Sequence, residues 1–128
     1  TMEILTNAIS WFEIPVDNFD RAKKFYSLIY DYDMPEQMMG NSRMGFLISN
    51  AENGGIGGAI VAGDGNKPAT DGTLAYLNGG SDLEIVLNRV EMAGGKILLP
   101  KTQISPEIGY FAIFMDSEGN RLALHSIK

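Results

Sequence analysis

Few side chains in this sequence have the chemistry of a catalytic or ligating group. There is one histidine, His125, and no cysteine, so thiolate nucleophiles, disulfides and zinc–sulfur sites are excluded. His125 and Ser126 are neighbours in a stretch with strand character, where successive side chains point to opposite faces, and no G-x-S-x-G motif occurs. A serine-hydrolase triad therefore has no support. Imidazole is the side-chain group best suited to proton transfer near neutral pH, so His125 is the main candidate for that role.

A glycine-rich segment, Gly54–Gly58, raises the question of a nucleotide-binding loop. Ile60 stands where the third glycine of a G-x-G-x-x-G motif is required, and the residues that follow favour a strand rather than a helix. The segment therefore does not predict dinucleotide binding.

Composition limits the class of protein and of partner. A chain of 128 residues predicts one domain, 1–128, and 45% apolar residues suffice for a packed core. The net charge of −6 disfavours nucleic acid and anionic membranes as partners and favours a neutral or cationic small molecule. No apolar run approaches the roughly 20 residues of a membrane helix. We therefore expect a soluble, cytoplasmic protein that binds neither nucleic acid nor membrane.

The order of predicted elements is the same in both halves of the chain. A strand over 8–16, a helix over Asp17–Tyr30 capped by Asp17, and three strands precede a breaker-rich linker, 62–72. A strand at 73–77, a helix over Asp82–Ala93 and three more strands follow it. Both halves thus read as βαβββ, with boundaries of about 7–62 and 73–128.

Internal offsets support a duplication. Phe19 and Leu83 are 64 positions apart, and Phe46 and Phe111 are 65 apart. The turn after Phe46 and the turn after Phe111 also have similar composition. The sequence therefore predicts an α+β fold of two βαβββ modules.

Two segments resemble the vicinal oxygen chelate superfamily, which includes glyoxalase I and the bleomycin-resistance and fosfomycin-resistance proteins. Residues 14–26 resemble the family's first strand and its "RA..FY" helix, and residues 116–124 resemble its "DPDGN.IEL" ending. The "GNR..LHS" ending of Gly119–Ser126 is similar to that of small glyoxalase/bleomycin-resistance-like proteins. The resemblance implies that the two modules form a cup-shaped sheet cavity that binds a metal ion or a small ligand.

In metal-dependent members of the superfamily, His and Glu side chains from the first and last strand of each module hold a divalent ion. The corresponding positions here are Trp11, Ala75, Gly58 and Ala123, none of which carries a ligating side-chain atom. The sequence therefore predicts no metal at the family position and no other cofactor.

Glu13 and His125 lie two residues beyond two of these positions, on the same strand faces. Three interpretations remain open. They form a metal-free functional pair, with Glu13 as general base or acceptor and His125 as proton carrier; they are the ligands of a displaced metal; or His125 is structural, bonded to Glu13 or to the backbone.

The favoured interpretation is a metal-free protein that binds a small, cationic molecule. Trp11 would stack on the ligand, Phe46 and Tyr76 would line the cavity, and Glu13 and His125 would be the polar and catalytic groups. The alternative is a metal-dependent lyase or isomerase of the glyoxalase type, with the ion displaced to Glu13 and His125. Open sheet edges and the resemblance together predict a homodimer.

Overall fold

The computed structural model describes residues 2–128 and contains two four-stranded sheets. The elements are β1 (Phe12–Pro15), α1 (Phe19–Tyr30), β2 (Glu36–Met39), β3 (Ser42–Phe46), β4 (Gly58–Ala62), β5 (Tyr76–Asn78), α2 (Glu84–Leu87), β6 (Lys96–Ser105), β7 (Gly109–Met115) and β8 (Arg121–Ser126). The first sheet has the strand order β1-β4-β3-β2 and the second β5-β8-β7-β6. In each sheet the strands that come first and last in the chain, β1 with β4 and β5 with β8, pair in parallel, and the other pairs are antiparallel. The predicted duplication is confirmed.

Helix α1 is capped one residue later than predicted. Its N-cap is Asn18 rather than Asp17, since the Asn18 side chain accepts from the backbone N–H of Arg21 at 3.0 Å. Asp31 ends the helix in the left-handed conformation, at φ 52°, and its N–H donates to the carbonyl of Leu28. The helix buries one face, as the spacing of its apolar residues predicted.

Helix α2 is shorter than the predicted Asp82–Ala93. Regular α-helix covers only Glu84–Leu87, and the N–H groups of Arg89 and Val90 donate to carbonyls three residues back. Such bonds form tighter turns than an α-helix. Leu83, directly before α2, has no capping side chain, but Asp82 Oδ1 accepts from the backbone N–H of Glu84 at 3.0 Å. The predicted apolar stripe is buried through Val90. The apolar pattern therefore predicted the buried face of this segment correctly, but the predicted length of the regular helix was wrong.

One hydrophobic core is shared by both modules. Each sheet turns one face toward it, which we call the inner face, and the opposite face is its outer face. Phe25 of α1 stacks on Phe114 of β7, with ring centroids 6.2 Å apart and both side chains fully buried. No helix of residues 2–128 has the length and apolar character needed to cross a membrane.

Strand register corrects the assumed offsets between the modules. The inner-face pairs are Ile14 with Ile60 in the first sheet and Leu77 with Leu124 in the second. Equivalent residues in β1 and β5 are therefore 63 positions apart, and those in β4 and β8 are 64 apart. A slip of one residue exchanges the faces of a strand, which is why this correction matters for the site.

The correction changes the residues that stand at the family's metal positions. The counterpart of Trp11 becomes Leu74 instead of Ala75, and the counterpart of Ala123 becomes Ala59 instead of Gly58. Gly45 of β3 lies opposite Ile60, and Ala112 of β7 lies opposite Leu124, so Gly45 and Ala112 are equivalent. The counterpart of Phe46 in β7 is therefore Ile113 instead of Phe111. None of the corrected positions carries a metal-ligating side chain.

A buried aspartate joins the β7–β8 turn to α1. The carboxylate of Asp116 accepts from Tyr26 Oη at 2.7 Å, from the backbone N–H groups of Glu118 and Asn120 at 2.8 and 2.9 Å, and from Asn120 Nδ2 at 3.0 Å. Asn120 Nδ2 also donates to the carbonyl of Pro15 at the end of β1, at 2.7 Å. This turn of the second module is therefore fixed to two elements of the first.

Glu118 makes a second link between the modules. Its side chain is fully buried and accepts from the backbone N–H groups of Asp17 and Asn18, at 3.1 and 2.7 Å. The guanidinium of Arg21 donates to both carboxylate oxygens, at 2.6 and 3.0 Å. Burial, the largest influence, would raise the pKa of Glu118, but the hydrogen bonds from Arg21, Asn18 and Ser117 and the charge of Arg21 outweigh it and lower that pKa.

Candidate functional site

The first outer face combines an aromatic ring with a carboxylate. Trp11 Nε1 donates to Glu13 Oε2 at 3.2 Å, and the Trp11 and Phe46 rings lie 6.2 Å apart at an angle of 60°. Trp11 is 42% exposed. A cavity of about 580 Å³ is lined by these three residues together with Met39, Ser42, Met44, Val61, Asp64 and Asn66. An open indole beside two carboxylates provides the electrostatics that favour a cation.

The second outer face holds the histidine. His125 and Tyr76 line a cavity of about 660 Å³ with the apolar residues Ile104, Ile108 and Ile127. His125 Nε2 lies 2.7 Å from the backbone carbonyl oxygen of Ile108. A carbonyl oxygen only accepts, so Nε2 carries the hydrogen and Nδ1 of the neutral ring is left as an acceptor. A structural His125 was expected to bond either to Glu13 or to the backbone, and in the structure its hydrogen-bond partner is the backbone.

The structure divides the predicted site residues between two outer-face cavities. Trp11, Glu13 and Phe46 share one of them, and Tyr76 and His125 share the other. Glu13 and Tyr76 both also line a third cavity. None of these three cavities of residues 2–128 is lined by both Glu13 and His125. Since the inner faces of both sheets turn toward one core, the two outer faces lie on the sides away from it. The expectation that Glu13 and His125 face one cavity is therefore not met within a single chain.

The residues do not fit the metal ion of the metal-dependent family members. Trp11, Leu74, Ala59 and Ala123 offer no ligand atoms, and within residues 2–128 no three His, Asp or Glu side chains lie together as a metal site requires. Glu13 and His125 alone provide two ligands on separate faces. No reaction step through a bound metal can be derived from this arrangement.

A third cavity, between the modules, was missed by sequence reasoning. It measures about 880 Å³ and is lined by Phe12, Leu47, Leu77, Val86 and Arg89, among others. These residues come from both halves of the chain, and the periodicity of each half predicts them only as core or helix surface. The relative placement of the two modules creates the cavity, and no local pattern encodes that placement.

Comparisons with known proteins agree on the fold. No protein-family model and no curated protein matches the sequence. A hypothetical protein from Staphylococcus aureus, SA1046, is 15% identical, with a TM-score of 0.62 over 97% of this chain and 95% of that one. A glyoxalase/bleomycin resistance protein/dioxygenase family enzyme from Burkholderia phytofirmans is 13% identical, with a TM-score of 0.66 over 93% and 98%.

Glyoxalase I from Zea mays, solved as a mutant, is 18% identical with a TM-score of 0.68, and the match covers 91% of this chain but only 44% of the maize chain. At these identities the likeness concerns the fold. The chain has the fold of the glyoxalase/bleomycin-resistance proteins among these structures.

Proposed function

We propose that the protein binds a small organic cation with an aromatic or apolar body on its first outer face. The observation that supports this most directly is the contact of Trp11 with Glu13 in an open cavity that also includes Asp64. The bond to Trp11 occupies one oxygen of Glu13 and leaves the other to accept from a ligand. The indole face attracts positive charge, and the acidic chain adds to that attraction.

The test uses Trp11 as its reporter, because it is the only tryptophan in the chain. Benzyltrimethylammonium should quench its fluorescence with saturation, and benzyl alcohol should bind more weakly. Glu13→Gln keeps the shape of the side chain but removes its charge, so it should weaken binding of the cation by about three- to tenfold.

The matched control is Glu91→Gln, which removes an exposed carboxylate that lines none of the three cavities. This variant should bind the cation as the unaltered protein does. Equal affinity of Glu13→Gln and the unaltered protein, or equal affinity for the alcohol and the cation, would contradict the proposal.

We further propose that the protein is a homodimer in which each first outer face meets the partner's second outer face. Both faces carry exposed apolar groups: Trp11 is 42% exposed, Tyr76 53% and Ile108 53%. A two-fold axis would cover both faces of each chain at once. His125 of one protomer would then approach Glu13 of its partner, which restores the predicted pair as a site shared between chains.

Light scattering at micromolar concentration should give about twice the chain mass of 14.0 kDa. Tyr76→Lys places a charge on the second outer face and should shift the protein toward the monomer without loss of secondary structure. Leu28→Lys, at a similarly exposed apolar residue of α1, should remain dimeric. A stable monomer for the unaltered protein, or a dimer that tolerates Tyr76→Lys, would refute this arrangement.

A further inference from the structure

The largest of the three cavities, which we call the junction groove, lies between the modules and extends from β1 to β5. Both are edge strands, so no neighbouring strand closes the groove at this boundary. Leu47 and Leu77 belong to the shared core, Phe12 packs against it, and all three line the groove. The groove shares Glu13 with the cavity of the first outer face and Tyr76 with the cavity of the second.

The walls of the junction groove carry an unusual share of exposed apolar surface. Ile9, Ile48, Tyr76 and Ile85 all line it and are each 51–56% exposed. Clustered apolar exposure around one concavity is typical of a binding site, whereas single exposed apolar residues are ordinary. The volume of about 880 Å³ lies within the range of small-molecule sites.

Arg89 gives the groove its charge. It is the only lysine or arginine that lines any of the three cavities. Its Nη1 donates to the carbonyl of Ile29 at 3.1 Å, which restrains the guanidinium, and no other acceptor of the described residues is bonded to it. Within residues 2–128, the ion pairs involve other lysines and arginines and leave Arg89 without a carboxylate partner.

We propose that the junction groove binds an amphipathic monoanion, with an apolar body along the exposed isoleucines and a carboxylate paired with Arg89. The guanidinium has donors remaining for a carboxylate, which it pairs with in a forked geometry. The groove's single acidic residue, Glu13, already accepts from Trp11 and lies on β1, whereas Arg89 follows α2. The ligand class is thus opposite in charge to that of the first outer face.

The test is calorimetry with decanoate below its micelle concentration, beside decanol and decylammonium. Decanoate should bind most tightly of the three. Arg89→Gln should weaken decanoate at least tenfold and leave decanol unchanged, since a hydrogen-bonded charge is lost only for the anion. Arg89→Lys should keep more of the affinity than Arg89→Gln. Lys24→Gln, which removes an equal charge outside the cavities, should change little.

Isoleucine methyl spectra locate the ligand. Decanoate should shift the signals of Ile48, Ile56 and Ile85, which line the groove, and leave Ile113 unmoved. Three results would overturn the proposal: no binding, equal decanoate affinity in folded Arg89→Gln, or shifts confined to Ile104 and Ile108 of the second outer face. Benzyltrimethylammonium binding reports on a different face, so either proposal can fail while the other stands.

Discussion

Replacing Asp116 by alanine should lower the free energy of unfolding by about 3–5 kcal/mol, which is a large share of what a domain of this size has. The substitution removes the acceptor of Tyr26 Oη, of two backbone N–H groups and of the Asn120 amide, in a place where the aspartate is only 3% exposed. Unpaired buried donors lose their hydrogen bonds to water without replacement. Urea denaturation followed by circular dichroism measures the change.

Two further variants separate the contributions of this network. Tyr26→Phe removes one of the bonds together with its donor, so it should cost only about 1–2 kcal/mol. Asp116→Asn keeps the shape and should fall between the other two. A loss below about 1 kcal/mol in Asp116→Ala would show that water or a rearranged turn satisfies these donors.

Glu118→Gln should be the second most costly of the substitutions considered, at about 2–3 kcal/mol at neutral pH, because it removes a buried charge that Arg21 and two helix-start N–H groups contact. The exposure of Arg21, at 55%, keeps the loss below that of a wholly buried pair. The pKa of Glu118 is lowered from 4.5 in the folded protein. Its contribution to stability is therefore full above pH 4.5 and is lost as the pH falls toward the lower folded value.

The unaltered protein should accordingly lose stability below pH 4.5 more steeply than Glu118→Gln, and the two should converge in acid. Glu36→Gln is the matched control. Hydrogen bonds from Arg43 and Lys23 lower the pKa of Glu36 to about 2, but its site is on the surface, where water and salt screen the charges. We expect Glu36→Gln to change neutral stability little. Parallel acid curves for the unaltered protein and Glu118→Gln would contradict the role assigned to Glu118.

The order of elements was predictable because each is encoded locally. The spacing of Phe19, Phe25 and Ile29 marks the buried face of α1, and turn residues separate the strands. The register between the modules was not predictable, since Phe46 aligns with Phe111 in the sequence but is equivalent to Ile113, two positions further on, in the sheets. Only the cross-strand hydrogen bonds fix this register.

The same difference applies to the site residues: contacts within one strand were predictable, and contacts that depend on sheet packing were not. The closeness of Trp11 and Glu13 follows from the period of a strand, in which residues two apart share a face. The separation of Glu13 from His125 depends on how two sheets pack across one core, and the groove around Arg89 arises from the same packing. Both features depend on tertiary packing, and the spacing of residues within one element does not predict them.

The links between the β7–β8 turn and α1 also bear on the order in which this chain becomes structured. Asp17 and Glu118 are 101 positions apart, and Tyr26 and Asp116 are 90 apart. A growing chain on the ribosome therefore exposes the start of α1 long before its buried acceptor has been synthesised. Contacts of such separation close large loops and slow folding relative to local ones. The contacts that fix the start of α1 to the second module therefore cannot form until the last hairpin of that module has been made.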